Sequence, residues 1–379
     1  MRRKPSTREP DCESGSGRTG TDRGDRLNPV NRFASASGVL ERAIERKAFP
    51  AASIEVGNAT RPVWRQAFGR LGFEADAPAA AEDTIFDLAS LTKVLATTPL
   101  VMQQVERGAI GLDDPVARHL AAWHGSDRAS VTLSDLLAHC SGLAAYAPFY
   151  QDCTGRTEFE RAICGVPLAY EPRTRSLYSD LGFMLLGFIL ERDASLPARF
   201  DAMRSQMGIV EDLQFNPPSS WKSRTAPTEI DPWRGRLLVG EVHDENAAAL
   251  GGAAGHAGLF GTAAAVGQHA RHLLQVLDGK VGAFQRATAE EFIARRADVA
   301  GSSRALGWDT MLPGSSCGGR MSPRAFGHTG FTGTSLWIDP DRGVYVALLT
   351  NRVHPSRDNE AIAQVRPAVH DAVMEAVGH

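Results

Sequence analysis

Phe86-Asp87-Leu88-Ala89-Ser90-Leu91-Thr92-Lys93-Val94-Leu95-Ala96 sets a serine three residues before a lysine, where a strand-like run turns into an apolar helical one. Positions i and i+3 share a helix face, so the Lys93 amine is expected within hydrogen-bond reach of the Ser90 hydroxyl. Free backbone N–H groups at a helix start favour an alkoxide or oxyanion, and an apolar setting lowers a lysine pKa towards the range of a base. Ser90 reads as an activated nucleophile and Lys93 as its base. Lysine occurs only at positions 4, 47, 93, 222 and 280; since arginine keeps its proton and cannot serve as a base, the lysine at 93 is informative.

Upstream of this stretch, residues 39–46 have helical spacing closed by Pro50, and two strand-like runs, 51–56 and 62–68, flank the turn signal Gly57-Asn58. Downstream, the helix from Ser90 is expected to continue to Gly108, followed by a mainly helical stretch with a capped segment at 131–137 and an apolar helix at 181–192. A helix over 263–277, strands at 335–338 and 344–349 around the turn Asp339-Pro340-Asp341-Arg342-Gly343, and a helix from about 360 to 377 complete the chain. A hairpin near each end with helices between them predicts an α/β (α+β) fold. One antiparallel sheet is built from both termini (about 36–95 and 265–379), with flanking helices and an α-rich insertion at about 96–264. The cleft between the two parts is the natural site. Residues 1–35, rich in Arg, Ser, Gly, Asp and Pro, read as a disordered tail.

The 379 residues, 43% of them hydrophobic, suffice for a large core. With 41 basic against 44 acidic residues and no basic cluster interleaved with aromatics, there is no electrostatic case for a nucleic-acid partner. Five cysteines without a C-x-x-C pair argue against a disulfide framework or zinc ribbon. No apolar run reaches the roughly 18 residues of a membrane span, and residues 1–35 lack the apolar core of a secretory signal, so a cytoplasmic location is expected. His269 and His272 have the look of a metal pair, but no third ligand has recognisable spacing and their helix reads as solvated. Neither a metal nor an organic cofactor is expected.

Two further elements carry chemistry. Tyr178-Ser179-Asp180 leads into the apolar run 181–187: Ser179 or Asp180 suits a helix N-cap, and a tyrosine whose pKa is lowered by a nearby lysine can relay a proton. In Phe326-Gly327-His328-Thr329-Gly330-Phe331-Thr332-Gly333-Thr334-Ser335, glycines beside a strand let a substrate approach backbone N–H groups, and His328 and Thr329 add polar recognition.

In this order, Ser90 to Lys93, Tyr178 to Asp180 and His328 to Gly330 resemble the S-x-x-K, Y-x-N and K-T-G or H-T-G motifs of the β-lactamase and penicillin-binding-protein family of serine hydrolases, in its class C-like branch. Residues 112–116, 136–143, 170–172 and 255–260 are also similar to that family, so the resemblance spans about 36–379. It implies a β-lactamase/transpeptidase-like fold, Ser90 as the acylated nucleophile, Lys93 as its base and Tyr178 as proton shuttle. It further implies an oxyanion held by the backbone N–H groups of Ser90 and Phe331, beside substrate contacts from Asp180, His328, Thr329 and Gly330. Two-step acyl transfer on a small ester, lactam or short peptide follows.

Two positions depart from the family pattern. Asp180 stands where an asparagine amide is usual and, ionised, only accepts hydrogen bonds; His328 stands where a lysine is usual and is largely neutral at pH 7. Both changes weaken recognition of an acylamino carboxylate, so an esterase-like hydrolase of small esters or amides is expected. A β-lactamase, a D-Ala-D-Ala-type carboxypeptidase or a D-aminopeptidase is the alternative. A silent penicillin-binding-like sensor is opposed by the presence of Ser90, Lys93 and Tyr178. Arg173, where relatives often have glycine, is expected to reshape the loop before Tyr178. The formal G-x-S-x-G at 314–318, followed by Asp339, His354 and His370, would suit an α/β-hydrolase, but no helix pattern follows it and it reads as a loop. His243 to Glu245 reads as loop hydrogen bonding.

Overall fold

A strand covered on both faces reads as a continuous apolar run rather than an alternating one, and Val344–Thr350 (β9), every residue buried, is such a strand. In the computed structural model, which describes residues 32–378, β9 sits inside a six-stranded antiparallel sheet of order β2-β1-β9-β8-β7-β6. The strands are β1 (Ala51–Asn58), β2 (Pro62–Gly69), β6 (Asp309–Thr310), β7 (Phe326–Thr329) and β8 (Ser335–Asp339). Ala52 faces Thr350 and Trp337 faces Val346, so the N-terminal hairpin joins the C-terminal one directly. That is the architecture the two hairpins predict.

Helices α1 (Ala34–Glu45) and α6 (Ile362–Val377) cover one face, packing through Leu40, Ala43, Val369 and Val373. Helix α5 (Ala263–Leu277) lies across β1 and β9 on the other. This helix is not solvated, contrary to expectation: His269 is fully buried and His272 nearly so, and α5 meets the sheet closely at Gly267, where a β-carbon would lie 1.9 Å from Glu55 Oε1. The tail expected over 1–35 lies mostly outside the described residues. Its last residues belong to the fold, where Phe33 stacks on Trp64 with ring centroids 4.8 Å apart and α1 begins at Ala34 rather than 39. β1 runs two residues beyond Val56, and the turn falls on 59–61, where the Asn58 side chain accepts from Thr60 and Arg61.

The inserted region packs around α4 (Asp180–Leu190), apolar on all sides and buried from Leu181 to Leu190, as a helix surrounded by protein must be. A three-stranded sheet of order β3-β5-β4, formed by β3 (Phe86–Asp87), β4 (Leu213–Phe215) and β5 (Leu259–Gly261), ties this region to the segment before Ser90. The helix after Ser90 is not regular. Lys93–Thr97 is a π-helical turn before α2 (Thr98–Glu106), since Pro99 has no N–H to offer the carbonyl four residues back. Such turns recur at functional sites. No helix among the described residues is long and apolar enough to cross a membrane.

Candidate active site

Ser90 is held where the two parts of the fold meet. The buried Asp87 carboxylate accepts the Ala89 N–H at 2.8 Å and the His243 N–H at 2.7 Å, which folds the chain back and puts Ala89 in the left-handed region (φ 48°) just ahead of Ser90. The Thr332 and Thr334 hydroxyls donate to the Asp87 and Leu88 carbonyls at 2.7 and 3.0 Å, drawing the β7–β8 turn against Ser90. Gly330 permits this approach: a β-carbon there would lie 2.0 Å from Thr334 Oγ1 and 2.6 Å from the Leu88 carbonyl. The Ser90 and Phe331 N–H groups have no acceptor among the described residues and stand free for an oxyanion.

The three residues taken for catalysis are brought together. Lys93 Nζ lies 3.0 Å from Ser90 Oγ, and the Tyr178 hydroxyl donates to the same oxygen at 2.8 Å. Lys93 also donates to Asp180 Oδ1 at 2.7 Å and to the His256 carbonyl at 3.1 Å, so all three N–H bonds of an ammonium find acceptors. Gly255 makes the last contact possible by packing its backbone on α4, where a β-carbon would meet the Phe183 carbonyl at 2.0 Å. Asp180 stands in the first turn of α4, where the helix dipole favours an anion, and Ser179 is the N-cap, accepting from Gly182 at 3.4 Å.

This geometry reverses two expectations about charge. Burial, the largest single influence, pushes the Lys93 amine down, but the Asp180 carboxylate and Tyr178 together outweigh it and hold the amine above the ordinary lysine value. Burial raises Tyr178, and the lysine beside it lowers the phenol too little to compensate. The resting centre is therefore an ammonium–carboxylate pair with a neutral phenol. His328, on β7, is neutral as expected: burial and the positive charges of Lys93, Arg304 and Arg366 depress its pKa well below the usual value, and its Nδ1 pairs with the Thr329 carbonyl at 2.7 Å.

Ser90, Tyr178, Asp180, His328, Thr329, Gly330 and Phe331 line a cavity of about 570 Å3. Arg304 and Arg366, which the sequence did not single out, also line it, as do Tyr146 and, from a stretch read as loop hydrogen bonding, His243, Asp244 and Glu245. Asp244 accepts from His256 at 2.8 Å, while Arg357 bridges Glu245 and Glu229. Arg304 lies over the Tyr178 ring, 5.4 Å from its centroid, without an ion pair among the described residues. Arg366 donates to the Gly330 and Thr334 carbonyls at 2.7 and 2.9 Å; it too has no acidic partner among the described residues, and burial lowers its pKa to about 10. The 314–318 segment is a loop whose Ser316 accepts from Trp337 Nε1 at 3.0 Å, and His370 pairs with a carbonyl of its own helix, so no second triad forms there. Arg173 has a positive φ of 66° and pairs with Asp135 at 2.6 Å, anchoring the loop before Tyr178.

The beta-lactamase family profile matches residues 37–370. The chain belongs to the beta-lactamase family. Among curated relatives, this family member is 32% identical over 312 residues to an N-acetylmuramyl-L-alanine amidase of Bacillus subtilis (72% of this chain, 68% of the relative). It is 30% identical over 316 residues to a putative D-alanyl-D-alanine carboxypeptidase of Escherichia coli (73% and 70%). In fold it is similar to a penicillin-binding protein homologue from Caulobacter crescentus, with TM-score 0.71, 19% identity and 91% and 98% of the two chains covered. It is also similar to EstCE1, a hydrolase with promiscuous acyltransferase activity, with TM-score 0.68, 22% identity and 89% and 98% covered. It is a beta-lactamase-family serine hydrolase.

Proposed function

We propose that this hydrolase opens an amide or ester bond through an acyl-Ser90 intermediate, in small substrates whose leaving group carries a carboxylate. The observation that carries the reading is Arg304, a guanidinium on the cavity wall over the Tyr178 ring with no carboxylate of its own among the described residues. Tyr178 is the group placed to protonate a leaving atom, so an anion bound at Arg304 belongs to the leaving side. The names of the two curated relatives describe bonds to alanine, and alanine released from such a bond carries that carboxylate. Muropeptide-like amides are therefore the substrate class we favour.

In this reading, Ser90 gives its proton to Lys93 in its free-amine form and attacks the carbonyl, whose oxygen moves between the Ser90 and Phe331 N–H groups. The neutral Tyr178 phenol then protonates the departing nitrogen or oxygen and takes a proton back from the Lys93 ammonium, which restores the amine. Water repeats the cycle on the acyl-enzyme. The presence of Asp180 instead of a neutral amide favours a second, esterase-like reading, in which no acylamino group is required.

The test compares N-acetylmuramyl-L-alanine, a D-Ala-D-Ala peptide, p-nitrophenyl butyrate and nitrocefin on the wild type, Ser90→Ala and Arg304→Ala. On the amides Arg304→Ala is expected to lower kcat/KM about 10- to 100-fold, the worth of a hydrogen bond to a charged group, with a smaller loss on the neutral ester. Equal losses on all substrates remove Arg304 from leaving-group recognition, and turnover of the ester alone favours the esterase reading.

A further inference from the structure

Helix α3 (Leu133–Leu137) stops in a paired turn in which the His139 N–H reaches the Leu136 carbonyl at 3.3 Å and the Cys140 N–H reaches that of Asp135 at 3.0 Å. The residue at the bend has a left-handed backbone, a position that glycine or asparagine normally fills. Here it is His139, with φ 56°, and a β-carbon is disfavoured there. An unfavourable backbone conformation persists only where surrounding contacts hold it, and those contacts lead to the catalytic loop.

The Ser179 N–H donates to His139 Nδ1 at 3.0 Å, the Leu177 N–H to the His139 carbonyl at 2.9 Å, and the Tyr170 hydroxyl to the same carbonyl at 3.2 Å. The imidazole also packs on the Tyr178 ring, with centroids 4.7 Å apart, and on Phe183 at 5.2 Å. An Nδ1 that accepts fixes the ring as neutral with its proton on Nε2. Burial, with the charges of Arg304 and Lys93, depresses the His139 pKa in the same direction.

We propose that His139 is a positioning residue for Tyr178: its neutral imidazole holds the Tyr178–Ser179 peptide so that the phenol meets Ser90 while Asp180 meets Lys93. The proposal rests on the reading that Tyr178 acts at Ser90. The side-chain bond to Ser179 and the ring packing on Tyr178 distinguish this role from a plain helix stop, and two substitutions isolate the bond. His139→Asn keeps a residue that tolerates the left-handed backbone and carries an acceptor in place of Nδ1, whereas His139→Gly suits that backbone better and has no acceptor.

The experiment measures kcat and KM for p-nitrophenyl butyrate, together with thermal unfolding, for the wild type and both variants, with Ser90→Ala and Tyr178→Phe as controls. Misplacing a reacting group by about an ångström costs about a hundredfold. His139→Gly is therefore expected to lose about that factor in kcat of the folded enzyme, with KM within about threefold and a lowered melting temperature because it empties a buried site, while His139→Asn recovers most of the rate. Glycine turning over like the wild type overturns the proposal, as does asparagine failing to exceed glycine. Full activity in Ser90→Ala or Tyr178→Phe overturns instead the site reading on which the proposal rests.

Discussion

Two buried clusters in this molecule pair a charge with a tyrosine, and they are finished to different degrees. On the sheet, Glu55 of β1 uses both oxygens: Oε1 accepts from Tyr345 at 2.6 Å and Arg271 at 2.8 Å, and Oε2 from Arg65 at 2.7 Å. At the cleft, Lys93 is just as enclosed, and its ammonium is just as fully bonded. The groups around it are not. The Ser90 and Phe331 N–H groups lack acceptors among the described residues, and Ser90, Asp180 and Tyr178 border the open cavity. A closed cluster has nothing left to bind, whereas an open one offers unused hydrogen-bonding capacity to a reacting substrate.

The comparison breaks most sharply at the nucleophile. Ser90→Ala is expected to lower ester and amide turnover by at least about 10⁴-fold and to leave the melting temperature near that of the wild type. Rapid hydrolysis by the variant would move the chemistry elsewhere. Next comes Lys93→Arg, which keeps the charge and the pairing with Asp180 but removes the transferable proton. A loss of about a thousandfold is expected, the scale of general-base catalysis, and wild-type rates would take the lysine out of the mechanism. At the closed cluster the loss falls on stability. Glu55→Gln leaves Arg271 and Arg65 without their carboxylate and should cost about 3–5 kcal/mol in urea unfolding, with kcat of the folded fraction unchanged.

The legible part of the fold was the part with a period or an unbroken apolar run. The final hairpin and α5 lie within a residue of where the sequence places them, because each element carries its signal within itself. Strand β3 falls in the strand-like run before Ser90, but β4 and β5, three residues each, exist only through pairing across the chain, so no local pattern announces them. The site divides in the same way. Ser90, Lys93, Tyr178 and His328 stand in motifs, but Arg304 precedes a two-residue strand and Arg366 lies in an ordinary helix, and only the fold brings them to the cavity. The charge state of Lys93 was misread for the same reason. Its apolar sequence neighbours point to a lowered pKa, and the carboxylate that reverses the sign comes from 87 positions away.

That reversal gives the finest test of the comparison. Asp180 holds the Lys93 amine above the ordinary lysine value, so the free amine that accepts the Ser90 proton in the proposed mechanism grows as pH rises towards that value, and turnover should climb with it. Asp180→Asn removes the opposing charge and leaves burial, the largest influence on Lys93, to favour the free amine. A charge partner at this distance shifts a pKa by about 1–3 units, so the rising limb of kcat/KM against pH should move down by at least about one unit. The asparagine amide also restores a donor to a position that now only accepts, so nitrocefin turnover should rise relative to ester turnover. An unmoved limb would mean that the ion pair does not control the base, and that the cleft cluster, like the one around Glu55, is structural.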